Sequence, residues 1–203
     1  MKRLGKSRQM LDCILAAAIG ILLFSGGSLY GQRRLDARIT QFQVKLERTP
    51  KYADSKESSK RKWARFTVRY DITGVSWVNE LEIKWTVLTL DESKKPIVLQ
   101  QSVIYEDVEE GRNHFGCVYL KPSFSKRYQG KASLDATSYS VYIELLVNGT
   151  RVASHEDKKH GNLPKNWYRQ ADNARTLPGQ LLPKSKTPFA PLDYDFYEHE
   201  KIE

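Results

Sequence analysis

Residues 63–72, WARFTVRYDI, decide the fold of this chain. Phe66, Val68, Tyr70 and Ile72 fall on one side, and Arg65, Thr67, Arg69 and Asp71 on the other. That period of two is the signature of an extended strand, whose successive side chains point to opposite faces. One apolar face and one polar face describe a strand of a sheet covered on one side.

The same reading extends outward in both directions. Gly74 is expected to break the strand, and residues 80–90, ELEIKWTVLTL, resume with Leu81, Ile83, Trp85 and Val87 on one face. Leu88 and Leu90 shift that face, which implies a bulge or burial on both sides there. Upstream, residues 39–48 place Phe42, Val44 and Leu46 together, and the polar stretch 49–62 reads as an exposed loop. Downstream, residues 97–105 form a β-rich run closed by acidic residues and Gly111, and FGCVYL at 115–120 reads as a short core strand. Residues 123–137 form a long polar connection, and 138–147 alternate again. Asn148-Gly149 follows, a pair that adopts the positive φ angles of a type I′ hairpin turn, so a return strand through Val152 is expected.

About seven short strands without an amphipathic helix between them exclude a βαβ organisation and leave an antiparallel sandwich or barrel. Trp85 in a central strand is the residue type that fills an immunoglobulin-like core, here without a disulfide. The expected fold is therefore all-β, an antiparallel immunoglobulin-like sandwich over residues 37–158. Beyond it, residues 159–203 carry Pro164, Pro178, Pro183, Pro188 and Pro191, which argue against a regular sheet. The same tail holds Trp167, Tyr168, Phe189, Leu192, Tyr194, Phe196 and Tyr197, more large apolar groups than disordered tails carry. An extended tail docked on its own domain or on a partner is expected, with Phe189, Leu192, Tyr194, Phe196 and Tyr197 as its partner-binding residues.

The first thirty residues have a basic start (MKRLGKSR), an apolar stretch at 13–24 (CILAAAIGILLF) and then SGGS, the three parts of an export signal. Spanning a bilayer core takes roughly 20 residues, so residues 1–30 read as a cleaved signal peptide, with an uncleaved membrane anchor as the alternative. Either way the rest is expected outside the cytoplasm, in the periplasm or at the cell surface. The chain carries a formal charge of +9, and removal of Lys2, Arg3, Lys6, Arg8 and Asp12 takes away a net three charges and leaves +6. Such a charge favours contact with anionic surfaces. Cys13 would leave with the segment, so Cys117 would be the only thiol, read as a small buried side chain.

The residues offer little for chemistry. Cys117 with His114, His155 or His160 is a weak candidate for a thiol nucleophile, because it sits in a core strand while the histidines lie in or beside turns. Asp193, Asp195, Glu198, His199 and Glu200 can ligate metals, but read better as a solvated acidic end. Asn148-Gly149-Thr150 matches a glycosylation acceptor and is explained by the hairpin turn. No enzyme activity, cofactor or metal is expected. Lys56, Lys60, Arg61, Lys62 and Arg65, flanked by Tyr52 and Trp63, form the densest basic cluster, a candidate contact for a glycan or an anionic membrane surface. Export argues against nucleic acid.

The tail LLPKSKTPFAPLDYDFYE at 181–198, together with the export segment and the sandwich, resembles a family of exported pilus-like proteins with an immunoglobulin-like fold from Verrucomicrobia such as Akkermansia. The resemblance implies a non-catalytic accessory component of a pilus-like or secretion assembly in the cell envelope, with envelope or pilus-like assembly proteins as partners. The N-terminus lacks the Glu that follows a processing Gly in a true pilin, so polymerisation as a major pilin does not follow. The other functional class is a carbohydrate-binding module of an exported adhesin, which would align Trp63, Trp77 and Trp167 on one exposed face.

Overall fold

Two strands dominate the structure, and neither can be straight. A strand of 29 residues at about 3.3 Å per residue would reach about 95 Å, where a domain of this length is about 40 Å across. The computed structural model describes residues 34–51, 62–161, 163–169, 174–193 and 197–201. Its strands are β1 (Asp36–Arg48), β2 (Lys62–Leu90), β3 (Pro96–Leu120), β4 (Ser140–Val147), β5 (Thr150–Asp157), β6 (Arg175–Thr176) and β7 (Leu181–Pro183). They form one seven-stranded sheet, antiparallel except where β6 runs parallel to β3.

The bend lies halfway along β2 and β3. Register shifts fall between Tyr70 and Ile72 and between Ile72 and Trp77, and a shift in register is how a sheet turns sharply. Gly74 sits there at φ +85, with its Cα so close to the carbonyl oxygen of Arg34 that a Cβ would fall on that atom. On β3, Asp107 (φ 52) and Asn113 (φ 68) take up the left-handed conformation that short polar side chains tolerate. The strand expected to end at Gly74 therefore bends at it, and the runs 97–105 and 115–120 are two halves of β3.

The bend folds the sheet into two layers. In the first, the N-terminal half of β2 pairs with β1, the C-terminal half of β3 and, through that, β7. In the second, the C-terminal half of β2 pairs with β4 and the N-terminal half of β3, with β5 and β6 outside them. The result is an all-β sandwich. Phe66, Val68, Tyr70 and Ile72 of the first layer meet Leu81, Ile83, Trp85 and Val87 of the second, all fully buried. At the open side β1 and β5 approach each other, with Phe42 and His155 rings 5.9 Å apart. The Asn148-Gly149 turn (φ 51 and 72) joins Val147 to its partner Thr150 as a two-residue hairpin.

Two local readings change. The polar connection after β3 contains a short helix, α1 (Ser123–Tyr128), whose buried Phe124 closes one end of the core. The tail does contribute strands, β6 and β7. Pro183 is allowed in β7 because β7 is an outermost strand, where a missing N–H costs no interior ladder bond. The loop residues 52–61 and the export segment lie outside the described residues. Among the described residues no helix is long and apolar enough to cross a membrane.

Candidate functional site

The polar faces of the sandwich gather most of the chemistry-bearing side chains, and the tail gathers them. Trp167, Leu163 and Tyr168 cover Leu88, Val98 and Tyr142 on the outside of the second layer, which explains why Leu88 broke the alternation. The chain then joins β3 through β6, moves to its other half through β7, and turns through a 3₁₀ turn at Lys184–Lys186. Phe189 next stacks on Tyr119 with ring centres 4.6 Å apart, and Trp63 meets both rings edge-on. Residues 199–201 finally return to β3: Glu106 N–H donates to the His199 carbonyl at 2.9 Å and Lys201 N–H to that of Ile104 at 2.8 Å.

Charged groups fasten this clasp. The Glu200 carboxylate accepts the backbone N–H groups of Lys184 (3.0 Å) and Ser185 (3.1 Å). The Lys184 ammonium donates to the Ala190 carbonyl at 3.0 Å and lies 5.1 Å from the Tyr197 ring centre, a cation–π geometry. Arg65 pairs with Glu47 at 3.0 Å and donates to the Tyr197 hydroxyl at 3.3 Å. His114 Nδ1 meets the Glu198 carboxylate at 2.6 Å while its ring stacks on Tyr70. Lys201 pairs with Glu80. Burial raises the Glu47 carboxyl above its ordinary range, with Arg65 pulling the other way, and raises the Tyr197 phenol.

The expected site residues are thereby redistributed. Phe189, expected against a partner, is 4% exposed and packs on its own domain. Tyr197 is half-buried in the same clasp, Leu192 is exposed, and Tyr194 and Phe196 lie outside the described residues. Of the basic cluster, Lys56, Lys60 and Arg61 lie outside the described residues, and Lys62 is exposed. Arg65 is not an open cation: its side chain is 16% exposed and turned into the Glu47–Tyr197 contacts. The acidic end is likewise spent on the clasp through Glu198 and Glu200, instead of standing in solvent. These contacts span up to 132 residues, so no local signal could have found them.

Cys117 lies under the clasp, 1% exposed, and burial pushes its thiol up to about 12. Its N–H donates to the Tyr105 hydroxyl at 3.2 Å. A thiol held protonated cannot act as a nucleophile near neutral pH. No group of metal-capable side chains comes together among the described residues. Of the three tryptophans expected on a glycan-binding face, Trp167 is buried, Trp63 is half-buried against Phe189, and Trp77 is 56% exposed. They form no shared platform.

The fold and clasp define a class: an all-β sandwich closed by its own C-terminal strap. A protein-family model matches residues 30–203, and the chain belongs to that family. It is similar in fold to a crystal structure of a protein from Akkermansia muciniphila, with a TM-score of 0.68 and 21% identity over 84% of this chain and 94% of that one. No curated protein matches the chain.

Proposed function

We propose that this is a non-catalytic interaction protein of the cell envelope, working through protein surfaces as an accessory part of a pilus-like or secretion assembly. The observation that carries this reading is the use of the reactive groups. Cys117, His114, Glu198, Glu200 and Lys184 all face the clasp between tail and sheet, where they are paired or covered. Chemistry spent on fastening a strap leaves exposed surface as what the molecule offers to others. The export-type segment at 1–30 and the tail's resemblance to exported pilus-like proteins support the envelope setting.

The test is crosslinking in intact cells, followed by fractionation and capture of the chain. The expected outcome is a chain in the envelope fraction, joined to other envelope proteins. A soluble cytoplasmic chain with Met1 intact would overturn the envelope reading, and turnover of a substrate by the purified protein would overturn the non-catalytic one.

A further inference from the structure

Two surface features at opposite ends of the sandwich take no part in the clasp. Trp77, in the bend of β2, is 56% exposed. It stands directly opposite Glu109, on a stretch of β3 that also carries Glu106, Asp107 and Glu110. Asp107, Glu109 and Glu110 are exposed as well, against the single exposed cation Arg112 further along the stretch, so the ring is a bare apolar knob on a base of net negative charge.

At the other end a cleft of about 710 Å³ opens between the ends of β1 and β2 and helix α1. Leu46, Pro122 and Leu134 supply apolar wall, and Lys62, Lys126 and Arg127 supply charge. No acidic side chain lines it among the described residues. Strand β1 connects the two ends, since Asp36 pairs with Thr73 beside the bend and Arg48 with Lys62 at the cleft. Its 13 residues span about 40 Å. The knob cannot reach the cleft of its own molecule.

The two surfaces match each other in sign and character. A large ring inside an acidic rim fits an apolar hollow inside a basic rim, and Trp is among the residues enriched at binding hot spots, which sit in well-packed pockets. We propose that Trp77 of one copy enters the Lys62–Lys126–Arg127 cleft of the next. The contact joins unlike surfaces, so each added copy presents a fresh knob and a fresh cleft, and association proceeds head to tail instead of closing as a two-fold pair. Much of the attraction is long-range charge, so it weakens with salt. The proposal rests on the reading that the chain works through protein surfaces, and not on the compartment.

The test places a photo-crosslinking residue at Asn79, exposed and two positions from Trp77, in the full chain expressed in its native host. The expected products form a ladder at two, three and more times the mass of the chain, with the crosslink mapping to the peptide around residues 122–134 of the next copy. Trp77→Ala, Glu109→Lys and the pair Lys62→Glu with Lys126→Glu should each lower its yield by roughly tenfold or more. Placing Glu109→Lys, Lys62→Glu and Lys126→Glu together in one chain should restore it, because every knob and every cleft is then reversed and they fit each other again. Crosslinks to position 77 of the second copy, to an unrelated protein, or to nothing would overturn the proposal, as would a triple reversal that stays unlinked. A cleft-directed crosslink in a cytoplasmic chain would leave this inference standing and remove the envelope reading alone.

Discussion

At the scale of single residues, Cys117 makes the sharpest claim. Its thiol is covered by Tyr119 and Phe189 and pushed up to about 12 by burial. An alkylating reagent near neutral pH should therefore leave the native protein unlabelled and modify Cys117 fully in denaturant, as read by intact mass. Rapid labelling of the native protein would contradict the packing of the clasp. Burial of this residue was legible in FGCVYL, a short apolar run between turn residues. The role of Arg65 was not. Alternation in WARFTVRYDI assigns Arg65 to the polar face, but a period of two says nothing of what arrives later to cover that face. The cover is Tyr197, 132 positions away, and only the folded chain brings them together.

At the scale of elements, the tail behaves as part of the domain. Leu181 and Phe189 are buried at 1% and 4% exposure, and burying one such side chain is worth about 1.5–3 kcal/mol. Phe189→Ala should cost about 3–5 kcal/mol, seen as an earlier melting transition, and it should open Cys117 to alkylation. A chain ending at Gly179 should melt earlier still. Unchanged melting in both variants would show that the tail serves a partner and not its own sheet. The strands at 63–72, 80–90 and 138–147 and the Asn148-Gly149 turn were readable because alternation and turn chemistry are local. The continuity of β2 and β3 through the bend was not, since a glycine that ends a strand and one that bends it are the same letter. The difference is made by the Arg34 carbonyl lying against Gly74. Likewise Pro183 argues against sheet in general, and is accommodated here because β7 lies at an edge.

For the whole molecule, the raised acids set a limit on the alkaline side. Burial raises the phenols of Tyr70, Tyr105, Tyr119 and Tyr139 above their ordinary value, and the Cys117 thiol from 9.0 to about 12. All five are neutral in both folded and unfolded chains well below pH 9.0, the ordinary thiol value. Above it the unfolded chain gives up protons that the folded chain keeps, so the unfolded state binds fewer, and stability falls as pH rises. Of the eleven tyrosines, these four should give their tyrosinate absorbance in one step together with loss of the sheet signal. A rise to all eleven tyrosinates in a protein that stays folded would refute the closed core. The position of the strap in the chain has one more consequence, in the order of synthesis. Every strand of the two layers up to β5 leaves the ribosome before Arg175 does, so the edge of β3 that β6 and β7 later take stands uncovered until those residues emerge. An uncovered edge invites pairing with another chain. A chain cut short before Leu181 keeps strands β1 to β5 and lacks the closure, and every newborn chain carries the same uncovered edge for that interval.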